Sequence, residues 1–351
     1  MGKEKSFTTR NDRLKTILLL VLGVVLPINL VFAEFSKTHN PVREYSGQTI
    51  FDLENVPEEN IDIGLWALVI AKEYDSSLQI DDYLSTLDSM ASQIQLMVGP
   101  RDGDMVRFMM TKMFQYDSGE WNNSEPYSYD LADPLGDNPR NKLLSTYLDN
   151  KTGNCVSMPT LFLALMERVD PDIPFNGVMV PGHLFCRFHE RGKIWNVETT
   201  NGGHANRDVW YIERMHVPQF AIDSGTYMTD MTKKAYVIEL IEILVNKCRL
   251  EANYDKGLEY TDLMLKLNPK SISGLVLKGA LLAWKGQIIL DKIMGEVRQP
   301  SMEEHEKLLF YKNESDKFIA RAKSLGWNPE SEKSREEYLR TITEEKSRRN
   351  K

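Results

Sequence analysis

Only three of the 351 residues are cysteine and only six are histidine. Three thiols are too few for a disulfide framework, and an odd count leaves at least one free unless chains are cross-linked. No Cys-x-x-Cys pair, HExxH helix or glycine-rich phosphate loop occurs. The motifs that announce structural zinc, zinc hydrolysis and nucleotide binding are therefore missing, and no cofactor or metal is expected. Basic surplus is lacking too: 43 Lys and Arg stand against 51 Asp and Glu, a formal charge of −8. An acidic body without a basic, aromatic-interleaved stripe is a poor match for phosphate backbones, which excludes nucleic acid as a partner. With 42% apolar and 27% charged residues, nothing in the composition implies a large disordered tract. The length suffices for two domains with proper cores.

The strongest apolar run is at the N-terminus. Lys3, Lys5, Arg10, Arg13 and Lys15 precede residues 16–32, and Ala33 follows as a small residue at a cleavage point. This reads as an export signal over 1–33. The alternative is an uncleaved anchor formed by 16–32, although Pro27 weakens such a helix. Residues 1–33 carry five basic and two acidic side chains, a net +3, so their removal would leave −11.

Chemistry concentrates in three later segments: KTGNCVSMPTLFLALMERV with Cys155, PGHLFCRF with His183, and KIWNVETTNGG with Glu198. The dense apolar run over 161–169 predicts a buried helix with Cys155 at or just before its start, where free amides and the helix dipole favour a thiolate. Pro159 costs about 3 kcal/mol deep inside a helix, so the helix is expected to begin nearer Ser157, with Cys155 on the preceding loop. The other two segments read as a hairpin turning near Arg191-Gly192. If its two-residue loop is Glu190-Arg191, His183 lies opposite Glu198; a loop one residue further on makes them diagonal neighbours. Either register lets the carboxylate fix the imidazole tautomer while the other ring nitrogen takes the proton of Cys155. Cys186, three residues from His183, should face the opposite way and serve packing, and Cys248 reads as a core residue of a later helix. For the oxyanion, the backbone N–H of Cys155 is the first choice, with Asn154, Asn141 and Trp195 as further candidates.

These motifs resemble the transglutaminase-like superfamily, a papain-like fold with a helix-borne Cys, a strand His and a carboxylate on the next strand. Within it the chain is most similar to a bacterial group labelled regulators of SirC expression, which couples this core to a tetratricopeptide-type C-terminal region. The resemblance also covers IDIGLWALVIAKEYDSSLQIDDYLSTLDSMA and NPRNKLLSTYLDNKTGN, and spans about residues 55–290. It implies an α+β, papain-like core followed by an all-α tetratricopeptide-like region. Two departures stand out: the usual carboxylate is Asp where this chain has Glu198, and many members of that group lack the Cys that this chain keeps.

Along the chain, 34–104 is expected to be a leading helical segment, 105–225 the transglutaminase-like core, 233–330 a tetratricopeptide-like helical domain and 331–351 a charged, frayed tail. Helices are predicted at about 61–73, 80–98 and 105–116, with 117–140 loop-like and Trp121, Tyr127 and Tyr129 as cleft candidates. Beyond Trp210 a short polar link leads to Lys233. Helices then follow over 238–252, 254–267, 273–285 and 307–325. A single repeat unit cannot bury its own face, so it should dock on the core or on the last of these helices.

The residues support three functional classes. The first is an exported, periplasmic thiol enzyme acting on amide bonds through a Cys155, His183 and Glu198 triad, by hydrolysis or acyl transfer, on a protein or peptide substrate that includes cell-wall peptide. The second is a non-catalytic scaffold whose core and helices bind a protein or peptide partner, and the third is a metal site built from Cys155, His183 and His204. In each, contact with the inner membrane is confined to an uncleaved N-terminal segment.

Overall fold

The computed structural model describes residues 45–98, 127–329 and, near the C-terminus, 335–336, 338–340 and 343–344. The expected export segment, the helix expected over 105–116 and Trp121 lie outside the described residues. Helix α1 (Ile63–Tyr74) begins where Asp62 accepts the amide of Leu65 at 2.7 Å. It is apolar on nearly every side, and a helix of that kind belongs inside a core; all of 63–71 except Leu65 is buried. Helix α2 (Ile80–Val98) follows, and then, past residue 126, a parallel pair of two-residue strands, β1 (Ser128–Tyr129) and β2 (Thr152–Gly153), separated by α3 (Leu144–Asn150).

Helix α4 (Ser157–Val169) starts at Ser157, as the position of Pro159 requires. A proline in the first turn forfeits no intrahelical bond, since that turn's amides have no partner four residues back. The sheet next to it comprises β3 (Phe175–Val180), β4 (His183–Glu190), β5 (Lys193–Val197) and β6 (Asp230–Met231), in the order β5-β4-β3-β6 with every neighbour antiparallel. Glu190 pairs with Lys193, so the hairpin loop is Arg191-Gly192, the later of the two expected registers. Both loop residues have positive φ, 51° and 72°, the type I′ geometry whose twist matches paired strands.

One face of the sheet carries Leu184, Cys186, Phe188 and Val197 into the main core shared with α1 and α4. The Cys186 thiol donates to the Pro159 carbonyl of α4 at 3.7 Å, and burial pushes its pKa well up. The opposite face carries Val178, Val180 and Phe185 into a second core with Tyr211, Ala221 and Tyr227.

The stretch expected to be a polar link between Trp210 and Lys233 is more structured than that. It holds α5 (Asp208–Arg214), α6 (Gln219–Asp223) and β6, which completes the sheet. Each is short and gains its stability from long-range burial, not from its own periodicity. Then come α7 (Lys233–Leu240), α8 (Glu242–Leu250), α9 (Tyr254–Leu267), α10 (Ile272–Gly295) and α11 (Met302–Ser324). Tyr236, Leu244, Cys248, Tyr260 and Leu263 from α7, α8 and α9 join the main core, so these helices extend it. Helix α10 runs ten residues beyond the predicted end at 285. The tail is not wholly frayed, because Arg335 pairs with Asp137 at 3.4 Å and the Tyr338 hydroxyl lies 2.7 Å from that of Tyr129.

Gly177 is where sheet and helical region meet most tightly. A Cβ there would sit 2.2 Å from Cδ2 of the Tyr236 ring, whose hydroxyl is bonded to Thr160 at 2.8 Å. Gly177→Ala is therefore expected to destabilise the fold by about 1–3 kcal/mol, measured as a lower urea midpoint at unchanged m. Combining it with Tyr236→Leu should recover part of that loss, because the two changes share one contact.

Candidate active site

The site is assembled at the start of α4 and at one end of the hairpin. Asn154 turns its side-chain oxygen to the amides of Val156 and Ser157, at 3.0 and 3.3 Å, which closes the first turn of α4 and leaves half-buried Cys155 on the loop before it. Opposite, Pro181-Gly182 connects the paired residues Val180 and His183. Gly182 has φ 69°, the left-handed conformation glycine supplies at the third position of a type II turn. This turn delivers His183 at the first position of β4 and aims the Gly182 carbonyl at the Cys155 sulfur, 3.9 Å away.

His183 Nε2 is 2.8 Å from Glu198 Oε2, although the register makes them diagonal, not opposed. Cys155 is close enough to the ring to favour its charged form. With Nε2 committed to the carboxylate, Nδ1 is the ring nitrogen left for the sulfur. Glu198 is held on both oxygens. Oε1 accepts from the Thr200 amide and hydroxyl, at 3.1 and 2.6 Å, and Oε2 accepts from the Tyr211 hydroxyl at 3.1 Å as well as from His183.

The electrostatics follow from this geometry. Burial alone would depress the imidazolium of His183, but the Glu198 charge, the contact with Cys155 and the bond to Glu198 override it and raise its pKa to about 10. Burial works to raise the Glu198 carboxyl; the His183 charge and the His183 and Thr200 hydrogen bonds outweigh it and hold the group below its ordinary value.

The other predicted site residues are distributed as follows. The Asn154 amide nitrogen donates to the Asn141 carbonyl at 3.4 Å, and the Asn141 side chain donates to Asp130 and Asp133 at 3.3 and 2.8 Å. These bonds tie the 130–142 loop to the start of α4. Trp195 is remote: it pairs with Phe188, on the sheet face that carries Cys186, five residues along β4 from His183. At roughly 3.3 Å per residue that is about 17 Å. His204 is exposed and bridges Glu198 through its backbone. Among the described residues no group of three His, Cys, Asp or Glu is arranged to hold a metal ion. Of the cleft candidates, Tyr127 is a core residue packed edge-on against Tyr147. Tyr129 flanks the site: it pairs with Gly153, burial raises its hydroxyl pKa, and the Cys155 charge raises it further.

Sequence reasoning missed Thr200, Tyr211 and Lys142. Thr200 had a signal, since a hydroxyl two residues after a carboxylate is placed for a local bond. Lys142 pairs with Glu242 of α8 at 3.0 Å, and its ammonium is favoured first by Glu242 and, more weakly, by Cys155. Tyr211 had none: it sits in a helix of mixed character, thirteen residues past its partner.

A cysteine beside a helix start, an imidazole at a strand start and a carboxylate just past the neighbouring strand, on an antiparallel sheet, define the class of thiol-site α+β domains. Residues 81–221 match the model of the family described as Transglutaminase-like superfamily. Two curated relatives, each called UPF0162 protein and from Xylella fastidiosa strains Temecula1 (ATCC 700964) and 9a5c, are 25% identical to the chain over 238 and 237 residues. Either alignment covers 64% of this chain and 78% of the relative. No solved structure matches.

Proposed function

We propose that this protein is an exported, periplasmic thiol enzyme that opens or exchanges amide bonds of a protein or peptide substrate through an acyl-enzyme on Cys155. The observation that carries this reading is the 2.8 Å bond from Glu198 to Nε2 of His183, with Cys155 beside the same ring and favouring its charged form. His183 takes the thiol proton, and the sulfur attacks the substrate carbonyl carbon, forming an S–C bond and an oxyanion that faces the Cys155 amide. As the C–N bond breaks, Nδ1 of His183 protonates the departing amine. In hydrolysis, His183 then takes a proton from water, whose oxygen attacks the thioester; the acid leaves and the thiol is restored. A substrate amine in place of water gives transfer. Export would be directed by residues 1–33. Helices α8 and α9, closed by Pro269, read as one tetratricopeptide-like unit on which α10 continues, supported by close approaches at Gly257, where a Cβ would lie 3.0 Å from Leu281 of α10, and at Gly279 of α10, 2.9 Å from Ile319 of α11.

Iodoacetamide labelling from pH 5 to 9, mapped by peptide mass spectrometry, tests the reading. Cys155 should alkylate at least about tenfold faster at pH 6 in wild type than in His183→Ala, while Cys186 and Cys248, both buried, stay unlabelled until unfolding. Equal, slow labelling of Cys155 in both proteins would instead favour the scaffold reading, in which core and helices bind a peptide without turnover.

A further inference from the structure

The carboxylate of the site is one methylene longer than aspartate, so it has one more rotatable bond whose freedom must be removed if the imidazole is to be held in one orientation. Thr200 restrains Oε1, but it is only two residues away in sequence and can move with Glu198. The independent restraint comes from α5. The Tyr211 hydroxyl donates to Oε2 at 3.1 Å, to the same oxygen that meets His183 at 2.8 Å. An ionised carboxylate oxygen offers two lone pairs in this plane, and at Oε2 one meets the imidazole and the other the phenol.

Tyr211 is well anchored for that task. It is fully buried, its ring stacks on Phe185 at 3.8 Å and 9°, and Trp210 packs edge-on against it at 5.0 Å. Helix α5 is itself tied to the sheet, because Arg187 of β4 bonds Asp208 at 2.7 Å. Burial and the Glu198 charge raise the phenol's pKa, so the hydroxyl keeps its proton and acts as a donor.

The geometry points to Tyr211 as a positioning residue of the thiol site: by occupying the second lone pair of Glu198 Oε2, it locks the carboxylate so that His183 carries its proton on Nε2 and turns Nδ1 to Cys155. This rests on the reading of Cys155 as nucleophile. Tyr211 touches neither the sulfur nor, in that reading, the substrate, so its effect is transmitted through Glu198 and His183. It also accounts for the tolerance of glutamate at a position where the resembling family has aspartate, since a second donor offsets the extra torsion.

Tyr211→Phe in the full chain is the test, because it keeps the ring stacked on Phe185 and removes only the hydroxyl. Three readouts are taken. Carbon-13 NMR of the Glu198 carboxyl should show its titration midpoint raised by roughly one pH unit, since a donor to the charged form has been lost. Nitrogen-15 NMR of His183 should change from a ring with Nε2 protonated to a mixture of tautomers at high pH. Alkylation of Cys155 should slow by about tenfold with the tyrosine-to-phenylalanine protein still folded. Unchanged His183 and Glu198 signals would overturn the proposal and leave Tyr211 a packing residue. If wild-type Cys155 alkylates like a free thiol while the NMR signals still move in Tyr211→Phe, the thiol-enzyme reading fails and the positioning of the pair stands. Should the variant not fold, the wild-type protein decides: a Tyr211 hydroxyl proton protected from exchange, with a cross-peak to the His183 Nε2 proton, is required, and its absence overturns the assignment.

Discussion

Cys155→Ala is expected to abolish burst acylation by an activated ester, and His183→Ala to slow it by about a thousandfold, with the double variant no worse than Cys155→Ala alone. Non-additivity is the point of the experiment: sulfur and imidazole share one proton, so removing either removes the function of both. Glu198→Gln should lose less, because the amide can still meet His183 but cannot balance its charge. The same pair predicts a pH signature in stability. The folded-state pKa of His183, about 10, lies above its ordinary 6.5, so its stabilisation is fully present below about pH 6.5 and fades as pH rises towards 10. At the acid end the Glu198 pKa is depressed below its ordinary 4.5, so that contribution is lost as pH falls below that value. Urea midpoints of wild type and His183→Ala should therefore differ most between roughly pH 5 and 6.5 and converge towards either extreme. A constant difference from pH 4 to 10 would mean that the ring is neither paired nor charged in the folded protein.

What could be read from the chain before its structure was local, and what could not was long-range. Pro159 announced where α4 begins, because a ring that clashes with the preceding turn is tolerated only in the first one. The hairpin was legible, yet its register hinged on whether Glu190 or Gly192 entered the loop. The deciding signal was Gly192 itself: a type I′ loop wants glycine second, and Arg191 is then left with φ 51°. Strand β6 is two residues long and exists because Gly177 and Val178 pair with it, a fact no window of sequence contains. Asn141 and Asn154 were candidate oxyanion donors by proximity to Cys155 in sequence, and what the sequence did not show is that both also tie the 130–142 loop to the start of α4. Trp195 lies on the sheet face that meets α4, but at the far end of the hairpin, paired with Phe188 five residues along β4 from His183. Tyr211 was hidden for the opposite reason, since its role comes from a hydrogen bond across the second core and not from any motif.

Replacing Arg168 with methionine is expected to be the most destabilising single change in the core, at about 3–5 kcal/mol near pH 8. Its side chain is 1% exposed and reaches Asp62 at 3.2 Å, Asp88 at 3.0 Å and Glu167 at 3.2 Å, with a further bond to the Ala164 carbonyl at 2.7 Å. Those partners belong to the start of α1, the middle of α2 and the end of α4, so one guanidinium clasps three helices of the core. Methionine fills much of the volume but leaves Asp62 and Glu167 facing each other out of water. Lys233, 3.0 Å from Glu167, offsets only part of that repulsion. Burial and the Asp62 charge already raise the Glu167 pKa to about 7, and without Arg168 it should rise further. The folded variant then binds a proton that the unfolded chain releases at ordinary carboxylate pH, so its stability falls as pH increases. Urea denaturation at pH 5 and pH 8 should accordingly show a larger deficit at pH 8, and adding Asp62→Asn to Arg168→Met should narrow it. A deficit below about 1 kcal/mol at both pH values would mean that the clasp is no stronger than an exposed ion pair and that α1, α2 and α4 are held by apolar packing alone.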